Sequence, residues 1–428
     1  MPAKITAVNN NSVTVEIKIE FNKSMLETEN KIQETLNEAG VLVTGQALKS
    51  FDTNGAALIF GSVKMSSKGL APKEYQTPYG AVSVDRHVYQ TSSGGKTFCP
   101  LENNARIIVT STPKFAQQVS HKFAEMASPQ VQKDLEINHG RHVTRCFLQD
   151  IAEAVGTVAM AQEKTWEYDI PKQDRPVHMV SIGLDGTCML LCDDGYRQAM
   201  VGTLALYDCE GERLHTIYIA SAPEYGKEKF KQKLRKEIEC VRELYPKANF
   251  IGLADGAKDN WEFLEQLTNV QITDFYHATE YLTGVSEALF SKKQEKERQQ
   301  WLENHCHDLK HEKNTAAKQL EEFKKIKKEK ALSEEKGGKI DAAISYFFNQ
   351  GKRMNYAEFR AQNMPIGSGI TEAACKTIIK QRLCKSGMKW KDKGAKVVLS
   401  LRTLTYSSTR WDQFWNKINC CGLQCSTI

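Results

Sequence analysis

A series of strand-like apolar runs in the middle of the chain constrains the fold more than any other feature. The first of them, VHMVSIGLD (177–185), has few polar interruptions, which is typical of a strand buried on both faces. Turn residues and one strongly charged segment separate the later runs. The pattern predicts strands at 177–185, 196–208 and 213–221, a helix at 227–246, a strand at 248–256, a helix at 261–268 and a strand at 270–277.

The resulting βββαβαβ order is that of the ribonuclease H-like fold. Residues 291–360 interrupt it with a Lys- and Glu-rich helical pattern, in which Trp301, Leu309, Leu320 and Phe323 are sparse apolar positions. We therefore expect an α/β catalytic domain formed by residues 177–290 and 361–415, with residues 291–360 as a helical insertion.

The residues before this domain predict two further regions. Residues 1–112 indicate a small α+β region, with a strand at 13–21, a helix at 25–50, a β region around 82–89 and a loop at 91–102. Residues 113–170 favour helices at 114–126, 129–138 and 143–164.

The second and third of these helices are joined by a short break that contains Gly140, as in a helix-turn-helix DNA-binding unit. A plain helical bundle explains the same pattern. If the unit binds DNA, the residues that face DNA are Arg141, His142, Arg145 and Gln149.

Two aspartates follow apolar runs at equivalent places. Asp185 ends VHMVSIGLD and Asp255 ends the run before Gly256, so both are expected at the ends of neighbouring strands. Adjacent carboxylates repel each other unless a cation lies between them, and Mg²⁺ prefers oxygen ligands. Glu372, in the first turn of a helix predicted from about 371 to 386, is the candidate third ligand.

Each carboxylate also has a structural explanation. An Asp before Gly often forms a turn, and a Glu in a first helical turn complements the helix dipole. Three carboxylates in this strand order can instead hold two metal ions that act on a phosphodiester. The combination of Asp185, Asp255 and Glu372 favours the catalytic interpretation.

A strongly basic segment follows Glu372. Residues 373–402 contain nine Lys or Arg and one Asp, whereas the net charge of the whole chain is +6. Such a density of positive charge suits a phosphate backbone. Lys376 and Lys380 share a helix face with the glutamate. The remaining candidates for nucleic-acid contacts are Arg382, Lys385, Lys389 and Trp390, which could stack on an unpaired base or lie in the core.

The segment PIGSGITEAACKTIIKQRLCKSGMKW (365–390) resembles the C-terminal signature of bacterial ISKra-type insertion-sequence transposases, which are DDE enzymes. SIGLDGT (181–187), GLADGAKDNW (252–261) and DFYHATEYL (274–282) are similar to the family's other blocks, in the same order. The resemblance spans about residues 75 to 415.

This resemblance implies a DDE transposase that cleaves DNA and transfers strands at the ends of its own element, with Mg²⁺, or Mn²⁺ as a substitute. It implies that Asp185, Asp255 and Glu372 form the metal-binding triad. His277 matches the family's histidine, with an expected role in orienting the site rather than binding metal. The implied partners are double-stranded DNA and a second copy of the chain, in a homodimer or higher oligomer, and the implied location is the bacterial cytoplasm, at the nucleoid.

The chain departs from the family in one place. Relatives commonly carry paired cysteines in a zinc-ribbon-like element before the PLE-type sequence, whereas TSSGGKTFCPLE (91–102) holds only Cys99. Near the C-terminus, within the predicted tail 416–428, Cys420, Cys421 and Cys425 could hold a metal if a further ligand joined them; reduced thiols in a frayed tail are the alternative.

Two other functions remain open at this point. The chain could be a catalytically silent, domesticated DNA-binding protein, although its intact carboxylates argue against this. It could also be a ribonuclease H-like nuclease that cuts without joining. No apolar stretch reaches the roughly 18 residues of a membrane-spanning helix, and the N-terminus lacks the apolar region of a secretion signal.

Overall fold

The polypeptide divides into two units at positions 170/171 and 392/393. The first unit contains Met1–Ile170 and Lys393–Ile428, and the second contains Pro171–Asp392. The structure, a computed structural model, describes residues 2–9, 11–163, 165–330, 332–407 and 409–422.

The N-terminal part of the first unit is mixed α/β. A hairpin of β1 and β2 precedes a long helix, and β3 to β6 form a four-stranded antiparallel sheet. The elements are β1 (Ala3–Asn9), β2 (Ser12–Ile17), α1 (Met25–Lys49), β3 (Leu58–Phe60), β4 (Val63–Gln76), β5 (Ala81–Thr91), β6 (Gly94–Phe98), α2 (Pro100–Asn104), α3 (Pro113–Glu125), α4 (Ser128–His139) and α5 (Arg145–Gln162).

The predictions for helices α1, α3, α4 and α5 are confirmed within a few residues. The strand predicted at 13–21 is confirmed for residues 13–17, since β2 ends at Ile17 and residues 18–24 carry no strand. The prediction missed β1, which pairs with β2. The loop predicted at 91–102 is wrong. Gly94–Phe98 adds an edge strand to the sheet, and Pro100 begins α2, since proline suits the first turn of a helix.

The second unit contains a five-stranded sheet and most of the helices. Its elements are β7 (Met179–Leu191), β8 (Gly195–Tyr207), β9 (Arg213–Ser221), α6 (Glu228–Leu244), β10 (Asn249–Ala254), α7 (Lys258–Leu264), β11 (Val270–Thr273), α8 (Phe275–Leu289), α9 (Glu295–His311), α10 (Thr315–Glu329), α11 (Glu334–Gln350), a 3-10 turn (Gly351–Arg353), α12 (Tyr356–Ala361), α13 (Gly369–Ala374), a π-helical segment (Cys375–Lys380) and α14 (Gln381–Leu383).

The strands of this sheet lie in the order β11-β10-β7-β8-β9. β7, β8 and β9 are antiparallel neighbours, whereas β10 and β11 run parallel to β7. The parallel strands are connected through helices, as parallel pairing requires. The β7 burial pattern is continuous from Met179 to Leu184, which explains the apolar run in the sequence.

The helical insertion is confirmed as helical and it packs within the second unit. Helices α9 and α11 lie against α8, and α10 packs against α9 and α11. All of them share one apolar core with β10 and β11. The core includes Leu253, Ile272, Leu282, Leu309, Phe323, Ile340 and Phe347. Of the four apolar positions singled out from the sequence, Leu309 and Phe323 are fully buried, and Trp301 and Leu320 are partly buried.

The chain then returns to the first unit through α15 (Asp392–Tyr406) and α16 (Arg410–Cys421). Residues 393–415 were grouped with the sheet from the sequence, but they belong to the first unit. The buried Arg402 of α15 donates to the Ala124 carbonyl and the Glu125 carboxylate of α3. Residues 416–421, predicted as a tail, complete α16, and Phe414, Trp415 and Ile418 bury its apolar face.

Candidate active site

Asp185 lies in β7, and Asp255 directly follows β10, the adjacent parallel strand. The ladder between β7 and β10 ends at the pair Gly183 and Leu253, and each aspartate comes two residues later. Adjacent strands are separated by about 4.8 Å. The two positions are therefore neighbours, as expected from the sequence.

Asp185 does not end its strand, contrary to the sequence prediction. β7 continues to Leu191 and pairs with β8 throughout, with Asp185 opposite Val201. The apolar run stops at Asp185 because β10 stops beside it, so the rest of β7 has a strand on one side only. The end of the apolar run therefore marks where pairing with β10 ends, not where β7 ends.

A close contact fixes the helix that carries Glu372 onto β7 and β8. Thr371 lies beside Gly183, where an added Cβ would be 2.0 Å from the Thr371 hydroxyl oxygen. The Thr371 and Thr203 hydroxyls form a buried hydrogen bond of 2.7 Å. Gly183 is thus required for α13 to approach the sheet, and Glu372 comes one residue after the point of contact.

Asp274 ties the start of this helix to the end of β11. It is fully buried, and its carboxylate accepts hydrogen bonds from the backbone N–H groups of His277 and Ser368. The Ser368 hydroxyl in turn donates to Glu372 Oε1 at 2.9 Å. Asp274 therefore links strand β11, helix α8 and the first turn of α13.

An open cleft of about 670 Å³ lies beside β7 and the Glu372 helix. This helix consists of α13 and the π-helical segment that continues it, residues 369–380. Its lining includes both Asp185 and Glu372, together with the exposed side chains of Lys376 and Lys380. The full lining is Asp185, Gly186, Thr187, Gly369, Glu372, Ala373, Cys375, Lys376, Lys380 and Gln381. Two carboxylates and two ammonium groups thus face one space, as a site for a metal-bound phosphodiester requires.

Cys375 is a residue of this cleft that the sequence analysis did not single out. Its thiol donates to Asp185 Oδ2 at 3.5 Å, while the Gly186 N–H donates to Oδ1 at 2.6 Å. Burial and the nearby Asp185 carboxylate raise the pKa of the Cys375 thiol well above its ordinary value, so the thiol keeps its proton. The position lies in the π-helical segment, a helix irregularity that is frequent at functional sites.

Asp255 is exposed, and its carboxylate is not among the groups that line the cleft. Its Oδ1 accepts from the Ala257 N–H at 3.2 Å, which turns the side chain toward its own loop. Within the described ranges, no three His, Cys, Asp or Glu side chains form a group that could hold a metal ion. Asp185 and Glu372 line the same cleft, and the Asp255 carboxylate lies outside that lining.

His277 lies in the first turn of α8, although the sequence placed it in the fifth strand. The strand ends at Thr273 because Asp274 caps the helix. His277 Nδ1 lies 3.2 Å from Glu280 Oε2. Burial lowers the pKa of His277, but the Asp274 and Glu280 carboxylates outweigh that effect, so the pKa lies above its ordinary value.

The basic residues after Lys380 divide into buried and exposed positions. Arg382 is buried at 2% exposure and packs over the Trp390 ring. The Trp390 indole N–H donates to the Leu383 carbonyl, and its backbone pairs with Leu190 and Cys192. Buried Arg382 therefore offers no exposed guanidinium for a DNA contact. Trp390 is half-buried, and its stacking on an unpaired base stays a prediction. Lys385 and Lys389 remain exposed.

The helix-turn-helix candidates in the first unit divide in the same way. Arg141 is buried, donates to the Thr77 carbonyl and the Gln76 side chain, and packs over the Phe115 ring. It does not offer the exposed guanidinium that a DNA contact needs. Arg145 is exposed at the start of α5, as are His142 and Gln149.

The cysteines at the two predicted irregular segments lie at the start and the end of helices. Cys99 is half-buried at the start of α2. Cys420 and Cys421 are exposed in the last turn of α16, and the Arg106 side chain donates to the Cys420 carbonyl. Cys425 lies outside the described residues.

Comparisons with known proteins do not place the chain in a family. Neither the models of known protein families nor the curated proteins give a match. Within the part of the chain that the structure describes, no helix combines the length and apolar character needed to cross a bilayer. Function is therefore inferred from the cleft between β7 and the Glu372 helix.

Proposed function

We propose that the chain is a DDE transposase, which cleaves DNA and joins the new 3′-end to a target strand with the help of divalent metal ions. The observation that carries this proposal is the cleft in which Asp185, Glu372, Lys376 and Lys380 meet. One carboxylate on β7, and a second carboxylate and two lysines on the Glu372 helix, suit a phosphodiester held next to a hard cation.

The strand order supports a ribonuclease H-like catalytic domain. Three antiparallel strands followed by two parallel strands on the other side of β7 give the order β11-β10-β7-β8-β9. In this arrangement the first strand is central, and the fourth lies beside it. Asp185 lies on the first of these strands, and Asp255 directly follows the fourth.

In the proposed site, Asp185, Asp255 and Glu372 hold Mg²⁺, or Mn²⁺ in its place. Bound there, such ions would activate a water or a 3′-hydroxyl and stabilise the leaving oxygen. Gly186 and Cys375 orient the Asp185 carboxylate, and Ser368 orients Glu372. Lys376 and Lys380 bind the phosphates that flank the scissile bond. His277, whose pKa the Asp274 and Glu280 carboxylates raise, orients the site rather than binding metal.

The partner is double-stranded DNA, both as element ends and as target, and the active form is a homodimer or higher oligomer, since two ends must be joined in one event. The alternatives are a silent DNA-binding protein and a nuclease that does not join strands. Cleavage without joining would favour the nuclease. DNA binding without any cleavage would favour the silent protein.

The experiment uses short duplexes that carry the inverted repeats flanking the coding sequence, mixed with a target plasmid and Mg²⁺ or Mn²⁺. We expect wild-type protein to nick the repeat and join its 3′-end to the plasmid. Asp185→Asn removes a charged ligand with little change in shape, and it should abolish both steps while DNA binding persists. Joined product from Asp185→Asn at the wild-type rate would refute the assigned site.

A further inference from the structure

Helix α11 of the insertion holds the turn that follows β10. The Tyr346 hydroxyl donates to the Asp255 carbonyl at 2.7 Å, and the Gln350 side-chain amide donates to the Gly256 carbonyl at 3.1 Å. We propose that Tyr346 and Gln350, here called the α11 clamp, are positioning residues for the Asp255 carboxylate. The metal-related part of this inference rests on the proposed function.

The turn needs such support because the sheet stops before it. β10 ends at Ala254, whose carbonyl still accepts from the Asp274 N–H, but the next two carbonyls lie beyond the ladder. Gly256 has φ of +117°, a conformation that other residues rarely adopt. The clamp supplies hydrogen-bond donors for both carbonyls from a helix some ninety residues later in the chain.

The clamp is itself held in place on several sides. The Tyr346 ring stacks on the Tyr281 ring, with centroids 3.9 Å apart and planes inclined by 16°. Gln350 is buried, and its Oε1 accepts from Arg353, which packs over the Trp261 ring of α7. The turn therefore lies between α7, which follows it directly, and α11, which comes much later in the chain.

The α11 clamp also packs closely around Gly256 and leaves little room for a side chain there. A Cβ at this position would lie 3.1 Å from Tyr346 Cε2 and 3.3 Å from Gln350 Nε2. The turn and the two side chains thus fit closely. Any displacement of α11 would move the backbone of Asp255, so the insertion acts on the site through these two hydrogen bonds.

Hydrogen–deuterium exchange in full-length protein tests the clamp without reference to metal. Tyr346→Phe keeps the ring and its stack on Tyr281 but removes the donor. We expect amides in residues 255–257 to exchange about fivefold faster, the change that loss of one typical hydrogen bond gives. Gln350→Met, which removes the second donor, should act in the same direction.

Tyr225→Phe is the matched control, because it removes an exposed hydroxyl that donates to Asp194 in the same unit. It should leave exchange in residues 255–257 unchanged. Exchange at the wild-type rate in both clamp variants would overturn the proposal. Thermal unfolding of each variant shows whether faster exchange is local or reflects a loss of global stability.

Mn²⁺ binding, measured by electron paramagnetic resonance on the same proteins, tests the link to the site. The clamp variants should bind Mn²⁺ about tenfold more weakly than wild type and the control, as loss of support behind a ligand does. Equal affinities would overturn the positioning role. A wild-type chain that binds no Mn²⁺ would contradict the proposed metal site, and faster exchange in the variants would then mark the clamp as structural only.

Discussion

Arg141 and Arg145 lie four residues apart, and their surroundings give them different roles. Arg141 is buried between the Thr77 carbonyl and the Phe115 ring, whereas Arg145 is exposed. The sequence could not separate them, because both follow the same glycine turn and both are basic. Arg141 is buried because it packs against the end of β4, at Gln76. No local sequence pattern indicates this contact.

Arg141→Met should therefore reduce the stability of the first unit. It leaves the Thr77 carbonyl and the Gln76 side chain without their donor, which costs about 2 kcal/mol. Arg145→Met is the matched control, and it should change the free energy of unfolding by less than about 0.5 kcal/mol. Urea unfolding followed by tryptophan fluorescence measures both. Equal stability of the two variants would contradict the burial of Arg141.

His305 predicts a pH dependence of stability in the helical insertion. Burial lowers the pKa of His305, but its contacts with the Glu322 carboxylate and the Trp301 carbonyl outweigh burial and raise it. A raised folded-state pKa gives stability that is fully present below the unfolded pKa of about 6.5 and is lost as pH rises through the folded value.

We therefore expect the unfolding temperature of wild type to exceed that of His305→Gln by more at pH 6 than at pH 8.5. The comparison of the two proteins cancels the titration of all other groups, including His277. Differential scanning calorimetry at both pH values provides the measurement. A difference between the proteins that does not change with pH would show that His305 is not charged in the fold.

At the scale of elements, the sequence predicts the sheet of the second unit well. β9 has the predicted bounds, and β8 differs by one residue at each end, because turns bound both strands and β8 is buried from Ala199 onward. The helical insertion also follows from its composition. Local patterns failed where one element ends for reasons that lie in another, as at Asp185, where β10 stops, and at Asp274, where a cap begins α8.

The sequence indicates the acidic residues of the candidate site but not the residues that hold its elements together. Asp185, Asp255 and Glu372 could be singled out because they are charged residues at the ends of apolar or glycine-rich segments. Gly183, Thr371 and Cys375 act through contacts between β7 and the Glu372 helix. The hydrophobic periodicity of the sequence cannot indicate such contacts, since the two elements are almost 190 residues apart.

The Glu372 helix predicts the salt dependence of DNA binding. Lys376 and Lys380 are exposed and line the cleft. Replacement of both by Ala should reduce the slope of log K against log salt by about 2, because each phosphate contact contributes about 0.9. Binding titrations from 50 to 200 mM KCl measure the slope.

Lys325→Ala provides the control for that experiment, since Lys325 is exposed in α10 and is not among the cleft residues. Its slope should equal that of wild type. If the double variant keeps the wild-type slope as well, the cleft is not the surface that binds phosphates.

At the scale of the whole molecule, the proposed reaction acts on two DNA ends, whereas the cleft that holds Asp185 and Glu372 is a single site. We therefore predict that complexes active in strand transfer contain at least two copies of the chain. Analytical ultracentrifugation with end-sequence duplexes gives their stoichiometry. Active complexes with a single copy would contradict the prediction.

In the proposed site, three carboxylates of one chain bind divalent metal together. A crystal structure with a DNA end and Mn²⁺, with anomalous diffraction recorded at the manganese edge, shows whether they do. We predict manganese between Asp185 and Glu372, with the Asp255 carboxylate rotated away from the Ala257 N–H toward the metal. Manganese bound elsewhere, or a cleft that holds DNA while its carboxylates contact no metal, would contradict the claim.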